Sequence, residues 1–193
     1  MRTETLQPTT GAATQWLRGA GRSAEQIRRD PQSARDDLRH GSSGSLWRRR
    51  AIVGASLVGL ASMAATTLLQ TGIVRHLPDP PLPGFNSDQV NLSDTAFPFG
   101  IPDGSLALLA FAANLPLTAF GGADRAYERP WLSLAIAAKA AADAAVSGWY
   151  FYQMPAREKA WCGYCITAAF ASFVVLALSI PEAQRAVAAL WSR

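Results

Sequence analysis

Four apolar runs, separated by short polar breaks, leave this chain few ways to fold. Ala51 to Val74 carries no charge in 24 residues, more than the ~20 that a helix needs to cross ~30 Å of hydrocarbon at about 1.5 Å per residue. Ser105 to Phe120 has Asn114 as its one strongly polar residue and reaches spanning length when taken back to Pro102. Pro130 to Tyr152 is Ala-rich and interrupted only by Lys139 and Asp143. Trp161 to Ile180 is uncharged and stops at Pro181, a residue that should end a helix. A water-soluble fold would have to bury every one of these all-round apolar stretches with almost nothing left to cover them. The expectation is therefore an all-α integral membrane protein, a four-helix bundle with helices over about 51–74, 102–120, 130–152 and 161–180.

The mean hydropathy of +0.07 averages this body with a polar tail. Residues 1–50 hold ten of the 18 basic residues, all of them Arg. About fifty polar residues precede the first run, and that run is too long for a secretory signal, so it reads as an uncleaved anchor. Trp47-Arg48-Arg49-Arg50 directly before the run should keep the N-terminus in the cytoplasm. Four crossings return the C-terminus to the same side, which places the chain in the cytoplasmic (inner) membrane as a multi-pass protein. The expected layout is a largely disordered Arg-rich cytoplasmic tail (1–47), a four-transmembrane-helix domain (48–183) and a short cytoplasmic C-terminal tail (184–193). Ser23 could cap a short helix within the tail. Asp30, Asp36, Asp37 and Glu25 dilute its positive charge, and it holds no nucleic-acid motif, so the lipid membrane and not nucleic acid is the expected partner. Trp131, Trp149, Tyr150, Tyr152 and Trp161 fall at run ends, as interfacial aromatic belts do.

In this topology the stretch Trp161-Cys-Gly-Tyr-Cys165 lies at the outer end of the fourth helix, on the oxidising side. These are the chain's 2 cysteines. Three residues apart on a helix, they share a face and are close enough to form a disulfide. The helix N-terminus favours a thiolate, so Cys162 should be the reactive, water-facing sulfur and Cys165 should sit a turn deeper. A thioredoxin site would need a buried strand before the motif, whereas a charged connector, Pro155 to Trp161, precedes it. A purely structural disulfide closing three residues would gain little. A zinc site lacks ligands, because the 2 histidines, His40 and His76, are remote in sequence.

A second patch, Val90-Asn-Leu-Ser93-Asp-Thr-Ala96-Phe-Pro-Phe99-Gly100-Ile-Pro102-Asp103, joins the C-x-x-C in pointing to a family. Over residues 48 to 183 the chain resembles the vitamin K epoxide reductase family, including its bacterial disulfide-forming members. The resemblance implies a quinone-linked thiol oxidoreductase, with a ubiquinone- or menaquinone-type cofactor and a periplasmic thioredoxin-fold thiol protein as a possible partner. It also implies catalytic roles for Cys162 as the thiol that exchanges with incoming thiols and Cys165 as the quinone-side thiol. Ser93 matches the family's loop Ser near the quinone, and Asp103 stands where the family often has a hydrogen-bonding Asn. Two positions depart from the pattern. The family's loop cysteine pair is missing, with Ser87 at one of its positions, and the quinone-binding Tyr is replaced by Ala169.

Lys139 and Asp143 are the charges well inside a predicted span, and their i, i+4 spacing lets them pair while facing the interior. They either line the quinone site and handle protons or form a self-satisfied ion pair. Asn114 and Pro116 suggest a kinked second helix, and Ala55 with Gly59 a close packing surface on the first. The leading expectation is a membrane enzyme that oxidises thiols on the outer side and reduces a lipid quinone. The alternative is a catalytically degenerate relative that serves as a membrane scaffold or partner-binding subunit.

Overall fold

The apolar runs are helical, with boundaries shifted by polar contacts that composition does not reveal. The protein is described from a computed structural model covering Arg35, Arg39, residues 44–122 and residues 124–192, and no strand occurs among these residues. Residues 44 onward belong to one compact unit, Ser43–Arg193. Apart from Arg35, Arg39 and 44–47, the expected tail 1–47 lies outside the described residues, as does the cap at Ser23.

Helix α1 is Gly44–Gln70. It starts seven residues before the apolar run because Arg49, expected as an interfacial flank, turns inward and is buried. It stops four residues before Val74, where Gly72 adopts φ +74° and the Ile73 and Val74 amides return to the Leu68 carbonyl. This left-handed glycine is the usual device for satisfying the last carbonyls of a helix.

The connection that follows has no regular helix through Pro78, Pro80, Pro81 and Pro83, as their missing amides dictate. It then forms a short helix α2, Ser87–Asn91, whose first turn is capped by the Asn86 side chain accepting from the Gln89 amide at 2.9 Å. Ser93 then precedes a 3-10 turn, Asp94–Ala96, without a side-chain cap, and its hydroxyl donates to the Val90 carbonyl.

Helix α3 is Asp103–Ala119 with Pro116 inside it. After the short α4, Arg125–Glu128, helix α5 runs over Pro130–Gln153 and ends in a π turn, Met154–Glu158. Helix α6 is Gly163–Trp191. The expected stop at Pro181 is overturned, since the helix continues ten residues past it. Proline removes one backbone hydrogen bond, but the segment beyond it buries Glu182, Ala186 and Ala189, and that burial outweighs the loss.

Among the described residues α1 and α6 are long and apolar enough to cross a membrane. Helix α3, with 17 residues, covers about 25 Å. Helix α5, with 24 residues, carries Lys139 and Asp143 inside it. Helix α6 packs along both α1 and α5, and α1 also packs along α3, whereas α3 and α5 barely touch. Small residues permit the close approaches. Gly59 of α1 lies beneath the Phe111 ring of α3, where a Cβ would collide, and Ala55 packs on the cluster of Ile52, Ala140 and Val175. The gap between α3 and α5 is where the candidate site lies.

Candidate active site

Cys162 has extended backbone (φ −116°, ψ 117°) and is the N-cap of α6, while Cys165 lies in its first turn. The two form a disulfide, with Cα atoms 5.3 Å apart. The Cys165 amide donates to Cys162 Sγ at 3.1 Å, so the sulfur stands in for a capping oxygen at one of the helix's free N–H groups.

The expectation of a water-facing Cys162 needs correction. Cys162 is 0% exposed, packed among Val90, Met154 and Ala160. It is not water-facing because the connection between α1 and α3 is fastened over it. The Trp161 amide donates to Gly84 O (2.8 Å), and the Asn86 amide to Trp161 O (2.9 Å). Tyr164 Oη donates to Pro78 O, and Gln89 Nε2 donates to Glu158 O at 2.7 Å. Ser87, standing at the family's loop-cysteine position, donates both its amide and its hydroxyl to Asp79, at 2.8 and 2.5 Å. A hydrogen-bonded clasp thus holds this part of the connection.

Cys165 is only partly buried and forms part of the wall of a cavity of about 320 Å³ between α1, α3, α5 and α6. The walls are mainly apolar, with Met63, Leu106, Phe111, Val146 and Phe151 among them. Ser93, Asp103 and Asp143 also line this cavity, so the structure brings these three expected residues together with Cys165. Ala169 lies in the wall as well, and its small side chain leaves space where a Tyr would reach in.

Asp103 is anchored by Gln70 Nε2 at 2.6 Å, while Gln70 Oε1 accepts from the Gly104 amide. Lys139 is not in the wall. Its Nζ donates to Asp143 at 2.6 Å and to Asn114 Oδ1 and Ala110 O, both at 2.8 Å, spanning the gap between α5 and α3. Asn114 also donates to Ser56 Oγ.

Two residues of the site escaped the sequence reading. Tyr150, assigned there to an interfacial belt, belongs to the cavity wall. Asn91 is 2% exposed and touches both sulfurs. It falls inside the loop patch that carries the family resemblance, but nothing in that pattern ties it to the cysteines, and only the fold brings it to them. The candidate site is therefore a disulfide at a helix N-terminus with one sulfur opening into an apolar chamber. That arrangement can exchange thiols for a disulfide and admit a flat apolar ring beside Cys165.

The comparisons with known proteins agree with this chemistry. The model of the vitamin K epoxide reductase family matches residues 50–180, which include all four long helices in large part and both cysteines. No curated protein matches the chain. With most of its length matched, the chain belongs to the vitamin K epoxide reductase family.

Proposed function

We propose that this protein is a quinone-linked thiol oxidoreductase of the cytoplasmic membrane, with four crossings, cytoplasmic termini and the cysteine pair on the outer side. The observation that carries the reading is the opening of Cys165 into the apolar cavity while the disulfide sits at the end of α6. The bound quinone would supply a sink for two electrons and two protons. Apolar walls and a few polar groups suit such a ring, with Ser93, Asp103, Asp143 and Tyr150 available to its oxygens.

A substrate thiolate, as of a thioredoxin-fold protein, attacks one sulfur of the Cys162–Cys165 bond. A mixed disulfide forms and the other cysteine leaves as a thiolate. A second substrate thiol resolves it, releasing an oxidised substrate and leaving both cysteines reduced. Re-forming the Cys162–Cys165 bond then releases two electrons, which with two protons would convert a bound quinone to quinol. In the role assignment Cys162 exchanges with the substrate and Cys165 serves the quinone side. Burial of Cys162 means that exchange there follows opening of the 76–91 segment.

Purified protein reduced at both cysteines is mixed with a short-chain quinone, and quinol formation is followed. Wild type is expected to turn over, while Cys165→Ser and Cys162→Ser are expected to lose turnover. A Cys165→Ser protein with the normal rate would sink the reading and favour the scaffold role.

A further inference from the structure

The two sulfurs do not have equivalent surroundings, and one side chain, Asn91, meets each of them with a different group. Asn91 Nδ2 donates to the Ser87 carbonyl at 2.7 Å and to Cys162 Sγ at 3.2 Å. A carbonyl can only accept, so the Ser87 contact fixes which end of the amide is the NH₂ group. Oδ1 must then face Cys165, and it lies 3.3 Å from that Sγ. The Asn91 backbone is tied in turn to α1, its carbonyl accepting from Gln70 Nε2 at 3.2 Å. With both ends occupied and almost no exposure, the amide has no room to flip.

We propose that Asn91 is a positioning residue that differentiates the two cysteines, holding the reduced pair as a Cys162 thiolate beside a protonated Cys165. Cys162 Sγ receives two N–H donors, from Asn91 and from the Cys165 amide, at a helix N-terminus. A sulfur facing two donors is stabilised as the anion. Cys165 faces a carbonyl oxygen, which can be hydrogen-bonded only if that sulfur keeps its proton.

Ionisable groups also line the cavity into which Cys165 opens. Asp103 from α3, Asp143 and Tyr150 from α5 and Glu158 from the π turn line the cavity on the Cys165 side. Asp79 stands behind Ser87, and two nearby cations, Arg157 in the π turn and Lys159 just after it, are exposed. Carboxylates near a thiol disfavour its ionisation.

The inference rests on the redox reading above and adds a proton assignment to it. Re-forming the S–S bond from this state releases two electrons and the single proton of Cys165. The quinone takes both electrons and that proton, and draws its second proton from solvent, where ionisation of Cys162 had left it.

The test is a thiolate absorbance titration of reduced protein carrying one cysteine at a time, Cys165→Ala to observe Cys162 and Cys162→Ala to observe Cys165. The expected result is a Cys162 midpoint below the ordinary thiol value of about 8.5 and a Cys165 midpoint above it. Adding Asn91→Leu or Asn91→Asp should lower the Cys162 thiolate fraction about tenfold at a pH below the midpoint. Asn91→Leu should leave Cys165 unchanged or easier to ionise. Equal midpoints for the two cysteines, an unmoved Cys162 midpoint, or an Asn91→Leu shift that raises both alike would overturn the proposal. Should neither Asn91 variant fold, Asn91→Ala takes their place in the same titration, with the same results expected and the same results overturning the proposal. Because no quinone is present, a failure of the quinone reading leaves this measurement intact.

Discussion

At the scale of single residues, Cys162 and Cys165 differ in exposure although they stand three positions apart, the first buried and the second half-buried. The spacing of Cys162 and Cys165 was enough to expect a disulfide, and they form one. Which sulfur meets solvent depends on a remote segment lying over the helix start, and no local pattern encodes that. Lys139 and Asp143 were legible as a pair from their spacing, and the pair forms. Asn114 as a third partner was not, because it comes from another helix. The contacts predict unequal consequences. Asp143→Asn leaves Lys139 with Asn114, Ala110 and an amide oxygen as acceptors, so it should cost about 1 kcal/mol. Lys139→Met strands the carboxylate in the cavity wall and should cost about 3 kcal/mol. Thermal midpoints in detergent check the order. Since Asp143 lines the cavity, Asp143→Asn should also slow quinone reduction; unchanged turnover with lower protein yield would assign the pair to packing alone.

At the scale of elements, the helices were legible from their apolar runs, and their ends were less so. Gly72 stopped α1 early and Glu182 carried α6 beyond Pro181, each through a backbone or tertiary contact outside the hydropathy pattern. Helix α2 went unforeseen because its five residues are too few to show a helical period. Its position depends partly on His76, whose Nδ1 meets Asp88 at 2.5 Å, while Asp88 also accepts from the Leu77 amide. The hydrogen bond and charge of Asp88 raise the His76 pKa above its ordinary 6.5. Burial alone would push Asp88 up, but the bonds from His76 and Leu77, with the His76 charge, bring it below its ordinary 3.8.

The raised histidine stabilises the segment fully below pH 6.5, and that contribution is lost as pH rises through its elevated folded value. The lowered carboxylate contributes above pH 3.8, and its share is lost as pH falls through the depressed value. The fastening is therefore complete between about pH 4 and 6.5 and loosens on the alkaline side. His76 is exposed, so the effect should be shallow and weakened by salt. Amide exchange at Leu77, corrected for its intrinsic pH dependence, should speed up above neutrality, and His76→Ala should abolish that dependence.

At the scale of the whole molecule, the feature that sequence could not supply is a buried charge network opposite the redox end. Arg125, 1% exposed, donates from Nε and Nη2 to Glu182 and from Nη1 to the Leu117, Thr118 and Phe120 carbonyls at the end of α3. Arg49 donates to the same carboxylate and to the Gly121 and Gly122 carbonyls. One carboxylate of α6 thus ties α1, α4 and the α3 terminus together. Glu182→Gln should lower stability by about 3 kcal/mol, because two buried guanidinium groups lose their counter-charge; a fall in thermal midpoint with the cysteine chemistry intact is the expected outcome. The chamber itself arises from the packing order, in which α6 joins α1 to α5 while α3 and α5 stand apart.

Central to the proposed function is that this chamber delivers electrons from the cysteine pair to a quinone. The most direct measurement is the redox state of Cys162 and Cys165 in isolated membranes, read by thiol alkylation and mass shift before and after adding a soluble quinone to the reduced protein. Both thiols are expected to become protected as the quinone is reduced. A pair that stays alkylatable with quinone in excess would contradict electron transfer through the chamber.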